Sequence, residues 1–234
     1  MKAAIVFGGS GAIGSRVAKD LKKDGYGVVV ADVVEPKRDT GDFFVTCDVT
    51  NEVDVKRAIL YVQEKFGSLD VVINCHGMYV VEPLENTELH IFQKILDVNL
   101  KSAFLIFKST IPVMRWQKRG YVISIASMSG LRGKRGQSAY CASKFGLVGL
   151  TEAIYEELKG TNIRVTAVCP SSVDTTLLHK QVNVSSEDID QLLKPEDVSR
   201  VIMALVNSNP RVKQKIVPVE STHDIDKLER KRLN

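Results

Sequence analysis

Charge of one sign is scarce in this sequence: 32 Lys+Arg stand against 28 Asp+Glu, a formal net charge of +4 over 234 residues. A nucleic-acid binder concentrates base far more strongly, so no nucleic-acid partner is expected. Long apolar runs are missing as well. No stretch approaches the ~18–20 apolar residues of a membrane helix, so no membrane partner is expected either. The apolar run at residues 3–7 is too short for a signal peptide and meets Gly8 and Gly9 at once. Cys47, Cys75, Cys141 and Cys169 form no C-x-x-C pair, and the four histidines do not cluster with them. That argues against zinc and disulfide frameworks, so no metal is expected and a reducing, cytoplasmic setting is the plain reading. At 44% apolar and 26% charged residues, the chain is too apolar to stay disordered. No repeat, low-complexity tract or composition break divides it. One domain over residues 1–234 is expected, with a charged tail from about 220 to 234.

What is present is an alternation. Residues 3–7, 28–31, 43–46, 71–74, 121–125 and 164–168 read as strands, mostly continuous Val/Ile runs, as when helices cover both faces of a sheet. Helical stretches lie at 13–23, 52–66, 139–159 and 195–206. Residues 89–116 are one long helix or two, with Pro112 near the end, and 215–219 would supply a seventh strand. Parallel neighbours need crossover helices. The pattern therefore predicts an α/β fold, a doubly wound, Rossmann-like parallel sheet. Ligands of such sheets bind beyond the carboxyl ends of the strands, here the loops after Phe7, Ala31, Asn74, Ile125 and Val168. The polar stretch 170–194 reads as a mobile lid there.

Gly9-Ser10-Gly11-Ala12-Ile13-Gly14 fits G-x-G-x-x-G between a strand and a helix. Glycines let the backbone approach a pyrophosphate, and a helix N-terminus offers unpaired N–H groups and a positive dipole end. The bland alternative is a tight turn with no ligand. Asp32 ends the second strand, 18 residues after Gly14. A carboxylate there accepts both ribose hydroxyls of adenosine and repels a 2′-phosphate, which points to NAD before NADP. Lys37 and Arg38 would soften that repulsion.

Tyr-x-x-x-Lys puts a phenol and an ammonium on one helical face. The motif occurs three times, at Tyr61/Lys65, Tyr140/Lys144 and Tyr155/Lys159, so context decides. The first and third pairs read as solvated helix faces. Tyr140 instead opens a helix just after a strand-end loop.

Taken together, these features resemble the short-chain dehydrogenase/reductase family, one-domain NAD(P)-dependent oxidoreductases with a seven-stranded parallel sheet. The likeness spans about residues 3–206 and extends to its 3-oxoacyl reductases and sugar or alcohol dehydrogenases. The family places a serine 13 residues before its catalytic tyrosine. That position is Ser127 for Tyr140, but Asp48 for Tyr61 and Ala142 for Tyr155. The family's catalytic asparagine matches Asn99. Its glycine spacing would use Gly8, Ala12 and Gly14, with the middle glycine displaced to Gly11. Cys47-Asp48-Val49-Thr50 is similar to the segment that contacts adenine. Asn74-Cys75-His76-Gly77 resembles the family's Asn-Asn-Ala-Gly, with His76 in place of a small residue and read as a core or wall histidine. Pro170-Ser171-Ser172-Val173-Asp174-Thr175 resembles the segment that holds the nicotinamide end, with Thr175 as the contact. The resemblance implies that Gly8, Gly9, Ser10, Gly11, Ala12, Ile13, Gly14, Asp32, Asp48, Val49, Asn74, Gly77, Tyr140, Lys144, Pro170, Val173 and Thr175 bind cofactor, and that Asn99, Ser127, Tyr140 and Lys144 are catalytic.

These residue types suit hydride transfer between a nicotinamide and a ketone or secondary alcohol. Reduction needs an acid at the oxygen and oxidation needs a base there. The Lys144 ammonium favours tyrosinate at Tyr140. Ser127 can bond the substrate oxygen. By resemblance, Lys144 holds the nicotinamide ribose and Asn99 anchors a water that links Lys144 to solvent. The alternative is a catalytically silent nucleotide-binding sensor or scaffold. A sugar-nucleotide epimerase is a third reading, for which the roughly 30 residues after Val206 leave too little chain for a substrate domain. Ala139, Ala142, Ser143, Gly146, Gly149 and Ala153 recur at helical spacing and let another helix approach, as expected of a homodimer or homotetramer. Arg132, Lys134 and Arg135 lie between Ser127 and Tyr140. They either attract an anionic substrate or are ordinary surface charge.

Overall fold

The continuous apolar runs become the strands of one parallel sheet. The computed structural model describes residues 1–36, 40–181 and 185–223, apart from the side chains of Ser186 and Glu187. Lys37, Arg38 and the charged tail beyond residue 223 lie outside the described residues. The strands are β1 (Ala3–Phe7), β2 (Gly27–Asp32), β3 (Phe43–Thr46), β4 (Val71–Asn74), β5 (Gly120–Ile125), β6 (Ile163–Pro170) and β7 (Ile216–Val219). They pair in the order β3-β2-β1-β4-β5-β6-β7, each neighbour parallel to the next. Every residue of β1, β4 and β6 is buried; β1 and β4 accordingly show no polar alternation, while β6 carries Arg164 and Thr166 at alternate positions, bonded to Ser208 Oγ and Gln214 O.

Alternate side chains feed two cores. Ala3, Ile5 and Phe7 meet the face covered by α2 (Glu52–Phe66), α4 (Ser102–Gln117) and α5 (Ser138–Glu157). Ala4 and Val6 meet the face covered by α1 (Ala12–Lys23) and α8 (Pro195–Val206). Local chemistry sets the helix ends. The Asn51 carboxamide accepts from Val53 N at 2.9 Å to open α2, and Gly67, at φ +74°, closes it. Asp197 reaches back to accept from Lys194 N at 2.8 Å, with Pro195 as the first residue of α8.

At the amino ends of the strands, Asp70 accepts from Ala3 N at 2.9 Å, Ser68 Oγ at 2.6 Å and Arg119 Nε at 3.0 Å. Burial alone would raise its carboxyl. These donors outweigh burial and hold it below the ordinary aspartate value.

Residues 89–116 combine both alternatives. The α-helix α3 (Leu89–Leu96) passes through a π-helical turn at Asp97–Lys101 directly into α4. Pro112 sits inside α4, toward its C-terminal end. The segment after β6 is not wholly irregular among the described residues. It forms the short helices α6 (Thr176–His179) and α7 (Ser186–Ile189), and its stem closes where Val173 bridges Leu193. Asp174 accepts there from His179 Nε2 at 2.7 Å and Lys194 Nζ at 3.2 Å. The His179 bond is the main cause holding that carboxyl below its usual value. No disulfide joins any of the four cysteines, and no helix among the described residues is long and apolar enough to cross a membrane.

Candidate active site

The strand order turns back between β1 and β4, and a crevice opens at such a switch point. A cleft of about 600 Å³ lies there, beyond the carboxyl ends of the strands. Gly8, Ser10, Gly11, Ala12, Ile13, Gly14, Asp32, Asp48, Val49 and Gly77 line one part of it. Ser127, Tyr140, Lys144, Pro170, Val173 and Thr175 line it as well. Two residues expected at the cofactor, Gly9 and Asn74, do not line it, and neither does Asn99, expected to be catalytic.

The glycine turn is built by close contact. Gly8 takes φ +74°, and a Cβ there would lie 2.4 Å from His76 N. A Cβ on Gly14 would lie 2.2 Å from Gly8 O. Gly9 packs inward, where a Cβ would press on Val30 and Val6. Displacing the middle glycine to Gly11 does not open the turn, because Gly11 N still donates to Gly8 O at 3.2 Å. Gly11 then caps α1 without any side chain, and no acidic residue occupies the first turn. The positive end of a full helix is thus left to face the cleft, an arrangement that suits a pyrophosphate.

Asp32 holds this turn in place. Its Oδ2 accepts from Ser10 N at 3.0 Å, while Ser10 Oγ donates to Val34 O at 2.6 Å. A carboxylate has about four acceptor sites, so Asp32 retains capacity for ribose hydroxyls. Asp48 Oδ1 accepts from both Thr50 N at 2.9 Å and Thr50 Oγ1 at 2.8 Å, which fixes the adjoining wall. The glycine turn, bare helix end and carboxylate together fit a dinucleotide.

At the other end, the serine, tyrosine and lysine meet although they come from different elements. Ser127 follows β5 and accepts from Ser129 N at 3.0 Å. That bond occupies an oxygen lone pair and leaves the hydroxyl hydrogen for another acceptor. Tyr140 and Lys144 share a face of α5, with Nζ 5.7 Å from the Tyr140 ring centroid. Lys144 is 4% exposed and donates to Ile125 O at 2.9 Å. Burial pulls its ammonium down to about 8. Thr175 caps α6, accepting from Leu178 N at 3.3 Å.

The two asparagines stand behind the wall. Asn74 Nδ2 donates to Ser124 Oγ at 2.9 Å and ties β4 to β5. Asn99 uses its whole carboxamide on protein: Oδ1 accepts from Met78 N at 2.7 Å, and Nδ2 donates to Met78 O and Ser143 Oγ, both at 2.9 Å. Its side chain therefore clamps the loop after β4 to α5 instead of facing the cleft. His76 is a wall histidine. Ser102 Oγ lies 2.6 Å from its Nε2 and gives its own hydrogen to Val98 O. The histidine proton therefore sits on Nε2. Nδ1 is buried without a partner among the described residues. Burial, then the neighbouring Lys144, drives the ring down to about 3, so it stays neutral.

Tyr61 and Tyr155 are not the solvated faces expected of them. Both pack against the core beneath α2 and α5, and neither lines the cleft. The Lys65 ammonium sits 5.1 Å over the Tyr61 ring. The cleft also brings together Ser129, Gln137 and Tyr79, which the sequence places in the loops 78–83 and 128–137 without singling them out. Their only signal was membership of loops following strands.

Comparison with known proteins agrees with this geometry. The family described as short chain dehydrogenase matches residues 2–185. The chain is 35% identical over 187 residues to (+)-borneol dehydrogenase 2 of Salvia officinalis, covering 75% of this chain and 66% of that protein. Among solved structures it is similar to the 3-ketoacyl-(acyl-carrier-protein) reductase of Brucella melitensis complexed with NADH. The TM-score is 0.85 at 25% identity, covering 94% of this chain and 97% of that one. It is likewise similar to an actinorhodin polyketide ketoreductase with NADPH, with TM-score 0.86 at 26% identity, covering 94% and 96%. With the sheet, the switch-point cleft and the matched segment all in agreement, the chain belongs to the short-chain dehydrogenase family and is a nicotinamide-dependent oxidoreductase.

Proposed function

We propose that this cleft binds NAD(H) in preference to NADP(H), and that Tyr140 is the general acid/base for interconversion of a ketone and a secondary alcohol. The observation that carries the reading is the convergence of Ser127, Tyr140 and Lys144 on one end of a cleft whose other end is the glycine turn and Asp32. A bound nicotinamide would supply or take up the hydride. Tyr140 gives its proton to the carbonyl oxygen in reduction and takes it back in oxidation. Ser127, its oxygen already held by Ser129 N, donates its hydrogen to the same substrate oxygen. Lys144 favours the phenolate form of Tyr140 by its charge. Asn99 acts at one remove, holding Met78 and Ser143 where the site needs them. Oxidation of NADH in the presence of a ketone panel tests the reading. Cofactor binding without turnover on any ketone would favour a silent sensor or scaffold instead.

The cofactor preference rests on Asp32. Asp32→Ala is expected to weaken NADH by at least about tenfold, the scale of a lost charge-assisted hydrogen bond, and to weaken NADPH less. Paired fluorescence titrations check this. A wild-type protein with higher kcat/KM for NADPH than for NADH would sink it.

We also propose a homodimer or homotetramer. The small-residue row divides between two jobs. Ala139 and Ser143 are buried within the subunit, and a Cβ on Gly146 would strike Leu100 at 2.7 Å. Ala142, Gly149 and Ala153 remain exposed on α5, beside Phe145 at 46% and with Phe104 of α4 at 50% exposure. Light scattering at micromolar concentration should give twice or four times the 25.9 kDa chain mass, and a monomer would refute the proposal. Of the loop cations, Lys134 lines the cleft, while Arg132 and Arg135 are exposed and Arg132 reaches Glu220 at 3.7 Å. For Arg132 and Arg135, ordinary surface charge is the better reading.

A further inference from the structure

The proposed reaction needs an oxygen-binding serine and a proton-donating tyrosine. It does not by itself say what the rest of the substrate touches. Tyr79, in the loop after β4, also lines the cleft. Its ring meets the Tyr140 ring edge to face, with centroids 4.7 Å apart and planes at 71°. Its hydroxyl accepts from Gln137 Nε2 at 3.0 Å. Gln137 Oε1 in turn accepts from Ser129 Oγ at 2.9 Å, and Ser129 N donates to Ser127 Oγ at 3.0 Å. Gln137 and Ser129 are 5% and 3% exposed, so this chain of bonds runs inside the wall. Tyr79 also packs on the buried Leu178 and Leu192, at the two sides of the segment after β6. Its backbone is held too, because Asn99 bonds both the N–H and the carbonyl of the preceding Met78.

One ring thus touches the tyrosine, is linked through two side chains to the serine, and supports the segment that covers the site. Nearby Met78, Leu177 and Leu178 add further apolar cleft surface. Lys134 also lines the cleft, but Tyr79, Met78, Leu177 and Leu178 carry no charge, so a charged group laid on their surface would give up hydration there, whereas a flat apolar body gains by burial. Resting on the ketone–alcohol reading above, we propose that Tyr79 is the specificity-determining residue of the cleft. Its ring is the surface on which the hydrocarbon body of the substrate lies. The fitting class is a ketone or secondary alcohol that carries a bulky, uncharged hydrocarbon body.

The test uses the full chain with NADH and three probes: cyclohexanone, acetone and acetoacetate. Wild-type kcat/KM should be highest for cyclohexanone. Tyr79→Ala should raise the cyclohexanone KM by about tenfold or more, the scale of lost apolar contact in a binding pocket. It should change the acetone KM and the NADH Kd by less than about twofold, because neither needs that surface. Tyr79→Phe keeps the ring and should keep the cyclohexanone KM within about threefold. Tyr79→Leu preserves bulk against Leu178 and Leu192. It covers the case of an unfolded Tyr79→Ala protein and should show the same ordering of KM changes. Equal KM changes for cyclohexanone and acetone, a Tyr79→Phe protein as impaired as Tyr79→Ala, or a wild-type preference for acetoacetate would each overturn the inference. Tyr140→Phe in the same series separates the two proposals. If it retains turnover, the ketone–alcohol reading fails. If it loses turnover while the Tyr79 variants treat all probes alike, only the Tyr79 assignment fails.

Discussion

Tyr140→Phe is expected to lower kcat by at least about 10²-fold while leaving the NADH Kd within about twofold, the low end of what a general acid–base group supplies. The substitution removes one oxygen and keeps the ring. The edge contact with Tyr79 at 4.7 Å and the position of Lys144 Nζ at 5.7 Å both depend on that ring, so the site should stay assembled. Ser127 remains able to bond the substrate oxygen but has no proton donor beside it. The loss should therefore fall on kcat, with KM little changed. Tyr61→Phe and Tyr155→Phe serve as controls. Each carries the same Tyr-x-x-x-Lys spacing, yet each packs on the core away from the cleft. Turnover abolished by Tyr155→Phe and spared by Tyr140→Phe would mean the site has been assigned to the wrong helix turn.

The second large effect separates activity from stability. Lys144→Met should lose at least about 10²-fold in kcat/KM, since the ammonium that favours the phenolate is gone. The same change should leave the protein as stable or more stable. The amine is 4% exposed with one hydrogen bond identified, to Ile125 O, and burial has already drawn it from 10.5 to about 8. Replacing a buried charge by an apolar group of similar length is commonly neutral or stabilising. The sign with pH follows from proton binding. Between about 8 and 10.5 the unfolded lysine binds more protons than the folded one. Wild-type stability from this group therefore rises with pH across that window. Lys144→Met should lack that rise. Thermal melts of both proteins at the two ends of the window measure it. An equal slope in the variant would show that Lys144 is not the buried titrating amine.

The parts legible in the sequence are those set by local pattern. The first, third and fourth strands begin and end where the apolar runs do. In the first and fourth, burial on both faces leaves no room for polar interruptions, whereas the third lies at the sheet edge and is only partly buried. Glycine spacing, the Asp32 position and the Ser127 interval were likewise readable, since each depends on a few neighbouring residues. Side-chain direction was not. Asn99 and Asn74 sit in matching segments yet turn to Met78, Ser143 and Ser124, partners 21 to 50 residues away. Gln137 and Tyr79 are 58 residues apart and meet only after the sheet has formed. The π-helical turn at Asp97–Lys101 has the same helical composition as its flanks, so periodicity could not set it apart.

The Asp70 anchor bears on how such a chain changes over time. It joins Ala3, Ser68 and Arg119 at the amino rim of the sheet, while every loop that shapes the cleft leaves from the carboxyl rim. The two rims share strands but no side-chain contacts of this network. On the proposed role of Tyr79, exchange of the loop carrying it, or of the segment after β6, would alter what the cleft accepts without touching the amino-rim anchor. Substrate preference can therefore change at one rim while this anchor is inherited at the other, and recombination of whole carboxyl-rim loops between relatives, with the Asn99 clamp kept, is a practical way to redirect this scaffold.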